Sequence, residues 1–437
     1  MGVQSKAIEL NRLSATRAVQ LLARRELSAE QLLHACFARI EQRESVVRAW
    51  TALDKERALT RARELDRAST QGILHGLPIG VKDIFATHDF PTRYGSPIYE
   101  HHQPSSDAAA VALCREAGAV VVGKTVTTEF ATFQPGPTRN PHNQAYSPGG
   151  SSSGSAAAVA DHMVPFALGT QTAGSIIRPA AYCGVVGYKP SFGRIQRAGV
   201  KTVADSLDTI GGLARTVDDV ALLASVLMRD PRLRELEYDA KPRVGMYRTS
   251  QWRHTDHATR DAYAYAASTL SRAGAQIDEV ELPAELCPLV QVHADIMSFE
   301  MAQSLTFERT CHRADLSSSL QALLDAGLQI TADEHHANLQ RVEAGRDLVR
   351  SWFEQYDVLL APSASGEAPF FDQGTGDPLF CRVWTLFGAP CIHLPFHTGP
   401  QGLPVGLQVI GRSGDDHRTL AIARWMLNVL RPEDDSN

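Results

Sequence analysis

The sequence predicts an α/β protein in which helices pack on a sheet within one domain. Three observations carry this. Arg243–Tyr247 resembles a strand, 256–273 a helix and Ala275–Leu282 a strand, the βαβ rhythm of helices covering a sheet. Apolar residues make up 43% of the chain and charged residues 21%, as in ordinary globular proteins. Strand patterns lie on both sides of the charged, linker-like patch at 229–242, which favours one domain, although 437 residues could hold up to three.

Composition excludes several classes. A net charge of −6 gives no basic patch for nucleic acid. The seven cysteines, at 36, 114, 183, 287, 311, 381 and 391, include no CxxC and point to reduced thiols, with Cys183 read as core. The start, MGVQSKAIEL, has no apolar leader segment, and Lys6 stands where a myristoylation motif wants Ser or Thr. No apolar run reaches the roughly 18 residues of a membrane span. The expectation is a cytoplasmic protein without nucleic-acid or membrane partners, and a homodimer is the default assembly.

In chain order, residues 10–70 read as helical, with Ser14 and Ser28 as N-caps and Leu32, Leu33, Cys36, Phe37 and Ile40 on one face. The charged helix around Lys55–Arg67 reads as a solvated face. Leu77–Phe85 is a short apolar run interrupted by Lys82. Alone, it fits either an edge strand with an outward lysine or a partly buried lysine kept as a base, since burial favours the neutral amine. A helix over 107–117 precedes a strand at Ala119–Val122. Further on, 179–190 reads as a strand with a glycine-marked turn, and 216–229 as a helix opened by Thr216. Residues 290–356 look mainly helical; Val358–Ala361, Cys391–Pro395 and Pro404–Ile410 resemble strands, and 416–430 a closing helix.

The least ordinary stretch is Gly149–Arg178, GGSSSGSAAAVADHMVPFALGTQTAGSIIR. An Ala-rich helix accounts for Ala156–Ala160. It does not account for Gly149–Gly154 or Thr170–Ser175, which are poor helix and poor strand. Two look-alike motifs are set aside. Gly118–Thr125 fits GxxxxGK[ST], but its strand lies between the glycines instead of before them, which speaks against a P-loop nucleotide-binding protein. Gly150–Gly154 fits GxSxG, but loop residues 140–148 precede it where a nucleophile elbow needs a strand. His335-His336 and the HxxH at His254 and His257 read as surface histidines, so no metal site is expected.

Taken together, Lys82 in GVKD, GGSSSGS at 149–155 and GTQTAGSI at 169–176 resemble the amidase signature family. So do GVVGYKP at 184–190 and LPVGLQVIG at 403–411, and the two key serines stand 24 residues apart. The resemblance spans about residue 10 to 430. It implies the family fold, a single large domain with a central mixed, twisted sheet flanked on both faces by helices. The helical segment 10–70, a signature core over 72–230 and a substrate-shaping part over 243–430 would then be parts of that one domain. It also implies a Ser–cisSer–Lys triad: Ser175 as nucleophile, Ser151 as bridge after a cis peptide bond with Gly150, and Lys82 as base. The backbone N–H groups of Thr172, Ala173, Gly174 and Ser175 would form the oxyanion hole. A small-molecule amide would be cleaved through an acyl-enzyme to acid and ammonia, with no metal or organic cofactor.

Gln171 and Ala173 depart from the Asp and Gly common in the family, and Arg178 stands three residues after Ser175 instead of two. That placement is similar to malonamidase-type members, where arginine holds a substrate carboxylate. It leads to a stand-alone hydrolase of a carboxylated amide, such as malonamate or a carboxylated urea, with Arg178 as the clamp. A structural arginine is the competing reading of Arg178. The rival function is a glutaminase, the A-type subunit of an aminoacyl-tRNA amidotransferase. Pocket-shaping residues are expected within 290–385, with Phe370, Phe371 and Trp384 as candidate walls.

Overall fold

A computed structural model describes residues 9–68, 72–280 and 283–431. Residues 1–8, on which the leader and lipidation expectations rest, lie outside the described residues, as do 281 and 282 at the end of the predicted strand 275–282.

Eleven strands form one sheet: β1 (Trp50–Leu53), β2 (Pro78–Lys82), β3 (Val120–Thr125), β4 (Phe166–Gln171), β5 (Val186–Lys189), β6 (Thr209–Ala214), β7 (Arg243–Tyr247), β8 (Gln276–Val280), β9 (Val358–Pro362), β10 (Cys391–Thr398) and β11 (Pro404–Ile410). Their spatial order is β1-β3-β2-β4-β6-β5-β10-β11-β9-β7-β8. The β3, β2 and β4 strands run parallel, as do β9, β7 and β8, and the remaining pairs are antiparallel, so the sheet is mixed. Every residue of β2, β3, β4, β6 and β9 is buried, which requires cover on both faces. Exposed residues occur in the edge strands β1 and β8 and at the end of β10. Among the described residues, no helix is long and apolar enough to cross a membrane.

The predicted caps form. The Ser14 hydroxyl accepts from the Arg17 N–H, and Ser28 makes a reciprocal capping box with Gln31. The segment 10–70 is not continuous helix, however: β1 interrupts it by pairing with the far edge of β3. The strand predicted for 179–190 is half helix. Ile177–Cys183 is helical, with Pro179 in its first turn where a missing N–H costs nothing, and Gly184 ends it at φ +69°. Thr170 and Gln171, read as poor strand, close β4. The β6 strand, TIGGLA, was not anticipated; Gly211 lets Tyr188 approach so closely that a Cβ would lie 2.1 Å from its carbonyl oxygen.

The core of the signature segment follows from close backbone approach. The helix Ser153–Ala160 packs on β4 and β6. A Cβ on Gly154 would sit 2.2 Å from the Ala49 carbonyl oxygen and 2.4 Å from the Val126 nitrogen, so only glycine fits there. β3 begins two residues after Gly118 and itself contains Gly123, Lys124 and Thr125, which leaves no phosphate-binding loop. Lys124 instead is wholly buried, 3.0 Å from the equally buried Asp83, and its ammonium also donates to the Phe85 carbonyl at 2.8 Å and the Thr92 hydroxyl at 2.6 Å.

Removing one member of such a pair leaves the other charge stranded, at a cost of about 3–5 kcal/mol. Lys124→Met is expected to lower the unfolding free energy by that order in urea titrations, and adding Asp83→Asn to restore part of it. A double variant no more stable than Lys124→Met would show that the stranded carboxylate was not the cause.

Candidate active site

Two parallel neighbours set the site. β2 and β4 run in register, with Val81 opposite Leu168, so their C-terminal ends emerge together. Crevices at such ends are where open α/β sheets commonly bind ligands. Lys82 closes β2 and is completely buried. Its amine lies 2.8 Å from the Ser151 hydroxyl, 2.8 Å from the Thr170 hydroxyl and 3.4 Å from the Thr170 carbonyl. Burial holds its pKa well below the ordinary lysine value, opposed only by the negative charge of nearby Asp208.

The serine run is placed by the strands it faces. The Ser152 hydroxyl contacts both the carbonyl and the N–H of Thr170, Ser153 donates to Val126, and Ser155 donates to Leu168 while pairing with Thr125. Ser151 alone turns its hydroxyl to Lys82. The Gly150–Ser151 peptide is cis. Ser152 N–H donates to the Ser175 carbonyl at 3.3 Å, which joins the first serine turn to the second. Among the described residues no hydrogen bond links the Ser151 and Ser175 side chains, so the structure joins Lys82 to Ser151 directly and Ser175 to them through this backbone bond.

Beyond β4 the chain turns through Thr172–Ser175 into the helix Ile177–Cys183. Side chains hold this turn from several directions. The Gln171 amide oxygen accepts from the Ile176 and Ile177 N–H groups at 2.9 and 3.0 Å, and its NH2 donates to the Thr385 hydroxyl at 2.9 Å. Thr385 in turn donates to the Ala173 carbonyl at 2.8 Å. The Thr172 hydroxyl donates to Asp208, which also accepts from the Val203 and Ala204 amides. Burial pushes Asp208 up to about 6 against these donors. The Thr172 carbonyl meets His293 Nε2 at 2.9 Å. Burial pulls His293 down to about 3, so the ring is neutral, Nε2 carries the proton and donates, and Nδ1 accepts from Arg382 Nη1 at 3.4 Å. With its carbonyls and the Thr172 hydroxyl engaged, the turn leaves the N–H groups of Thr172, Ala173, Gly174 and Ser175 donating to no protein acceptor among the described residues.

Arg178 is buried on the first turn of the following helix. Nε and Nη2 both donate to the Gly150 carbonyl, at 3.2 and 2.8 Å, and Nη1 donates to the Gly376 carbonyl at 2.6 Å. The expected aromatic walls divide. Trp384 lies in the core against Tyr247; Phe370 is 51% exposed and stacks on Tyr146; Phe371 lies under Arg139. Asp208, His293, Arg382 and Thr385 carry no motif; each reaches the turn from a distant part of the chain, and sequence spacing offered no signal for them.

Comparison with known proteins agrees with this architecture. The Amidase family model matches residues 31–420. The chain is 34% identical to the A-type subunit of the glutamyl-tRNA(Gln) amidotransferase of Shouchella clausii (strain KSM-K16), over 94% of this chain and 95% of the relative. It is 33% identical to the corresponding protein of Halalkalibacterium halodurans, over 92% and 94%. Among solved structures, a crystal structure of an amidase superposes with TM-score 0.87 at 31% identity, covering 95% of this chain and 99% of that one. A chain of a vestigial protein complex that reveals the evolutionary origins of an s-triazine catabolic enzyme superposes with TM-score 0.88 at 27% identity, covering 95% and 98%. This chain therefore belongs to the amidase signature family and is a hydrolase of amide C–N bonds.

Proposed function

We propose that the protein releases ammonia from a small primary carboxamide by acyl transfer to Ser175, and that glutamine is its leading substrate. The observation that carries the chemistry is a buried, neutral-leaning Lys82 in contact with Ser151, beside four unengaged N–H groups at Ser175. Ser175 Oγ attacks the amide carbon. Its proton passes to Ser151, whose own proton passes to Lys82, since a hydroxyl donates and accepts at once. The amides of Thr172–Ser175 receive the oxyanion. On collapse, Lys82 returns the proton through Ser151 to the leaving nitrogen, and ammonia departs. Water then attacks the ester by the same relay run again, releasing the acid and Ser175.

Similarity to A-type amidotransferase subunits over nearly the whole chain supports glutamine ahead of malonamate or carboxylated ureas. The stand-alone reading keeps support from a 6-aminohexanoate cyclic dimer hydrolase, 25% identical with TM-score 0.88. Arg178 no longer argues for it. Three of its donors are committed to the Gly150 and Gly376 carbonyls, which favours an arginine that holds the Gly150–Ser151 turn over one that holds substrate.

Ammonia release from glutamine, malonamate, a carboxylated urea and neutral amides decides the substrate, with Ser175→Ala as the blank. Turnover of glutamine above the others, absent in Ser175→Ala, is expected. Turnover of carboxylated ureas or malonamate alone would overturn the glutamine reading, and ammonia release that survives in Ser175→Ala would overturn the triad.

Arg178→Ala is expected to lower kcat on carboxylated and neutral amides alike, because it loosens the Ser151 turn. Loss confined to carboxylated amides would reinstate the clamp.

The pH profile tests Lys82. Its protonated form cannot accept a proton, so kcat/KM rises with pH as the lowered lysine ionises and stays high above it. Lys82→Ala should cost about 10²–10⁴-fold and remove that acidic limb. A limb retained in Lys82→Ala would assign the ionisation to another group.

A further inference from the structure

Four cations stand near the nucleophile turn, and their acceptors differ. Arg178 is committed to two backbone carbonyls. Arg197 and Lys201 line the small cavity beside Thr170, Thr172 and Asp208, but each is paired: Arg197 with the carbonyl and carboxylate of Asp205, Lys201 with the buried carboxylate of Glu308. Arg382 is the exception. Its side chain is 13% exposed, yet among the described residues it has one weak hydrogen bond, 3.4 Å to the His293 ring nitrogen. Its one ion pair is long, 3.8 Å, to Asp377, which is itself 60% exposed. A guanidinium with five donors, largely desolvated and so thinly satisfied, is a ready receptor for an oxyanion.

Its position ties it to the reaction. Arg382 opens the short helix Arg382–Leu386, whose Thr385 holds the Ala173 carbonyl. Cys381 and Pro378, just before it, pack so closely on Gly174 that a Cβ there would lie 3.2 Å and 2.8 Å from their β-carbons. His293 bridges Arg382 directly to the Thr172 carbonyl. The loop before it carries Gly374 and Gly376 at φ +85° and +76°, and among the described residues the Asp377 carboxylate has this long pair as its one charged partner.

We propose that Arg382 is the specificity-determining residue of this amidase, receiving a carboxylate on the substrate, with that carboxylate replacing Asp377 as its partner. The proposal rests on the amidase reading above and narrows its substrates to amides that carry a carboxylate, glutamine and malonamate alike.

The test compares matched substrates. Glutamine and 4-aminobutanamide differ only in the carboxylate, and kcat/KM is measured for both with the wild type, Arg382→Gln and Arg382→Lys. The expected result is a wild-type preference for glutamine that falls about 10–100-fold in Arg382→Gln through KM, the scale of a lost charge-assisted hydrogen bond, and less in Arg382→Lys. Equal losses on both substrates would make Arg382 a support for His293 and the turn, and an unaltered preference would remove it from recognition; either overturns the proposal. If the wild type hydrolyses neither, the glutamine reading fails separately. Calorimetry on Ser175→Ala with malonamate and acetamide then decides: tighter binding of malonamate, lost with Arg382→Gln, supports the proposal, and equal binding overturns it.

Discussion

A lysine amine buried among hydroxyls, with no carboxylate in contact with it among the described residues, is the constraint on which the site depends. Lys82 and Lys124 make the point by contrast. Both are wholly buried, on adjacent parallel strands. Strand alternation sends Lys82 and its neighbour Asp83 in opposite directions. Asp83 therefore meets Lys124 across the strand pair and leaves Lys82 to Ser151 and Thr170. Burial lowers both amines, but at Lys124 a carboxylate in contact opposes it, whereas at Lys82 the opposing charge is the more remote Asp208. One lysine serves the fold as an ion pair; burial pushes the other toward the neutral form, which the proposed role as base would use.

The Thr172–Ser175 turn, which carries the proposed nucleophile, adds a second constraint. For four consecutive N–H groups to face a developing anion, something else must satisfy the groups around them. Gln171 does most of this. As an amide it accepts from two N–H groups at the start of the following helix and still donates to Thr385, which fixes the Ala173 carbonyl. The aspartate common at this position would supply acceptors but no donor for the Thr385 hydroxyl. Asp208 and His293 hold Thr172 by its hydroxyl and its carbonyl. The turn is thus fixed by side chains, and its amides are left without protein acceptors among the described residues, as the proposed oxyanion hole requires.

How much of this was legible in the sequence follows from distance along the chain. Lys82 announced itself as a charge inside an apolar run, and the glycine–serine pattern of 149–155 needed close packing to make sense. Both features are local. β4 and β6 were not legible as strands, because strands buried on both faces lack alternation and their glycines, placed for close approach, imitate loops. Residues 179–183 read as strand because Pro179 and the apolar residues after it continue into the true strand β5, and nothing in the sequence places the helix turn that Gly184 ends. Thr385, His293 and Asp208 stand 212, 121 and 36 residues from the atoms they hold, and no periodicity links such positions.

The two arginines beside the turn show why residue type alone misleads. Arg178 has the more suggestive place, three residues after Ser175. There, however, the helix carries its side chain back over the first serine turn, where two carbonyls take three of its donors. A buried guanidinium so engaged has little to offer a carboxylate, because the substrate would have to break charge-assisted bonds before forming its own. Arg382 lies 204 positions further along the chain from Arg178 and has no motif, yet its partners are one ring nitrogen and a distant, exposed carboxylate. Recognition depends on which cation still lacks acceptors once the fold is complete, and that is a property of the folded neighbourhood and not of the signature.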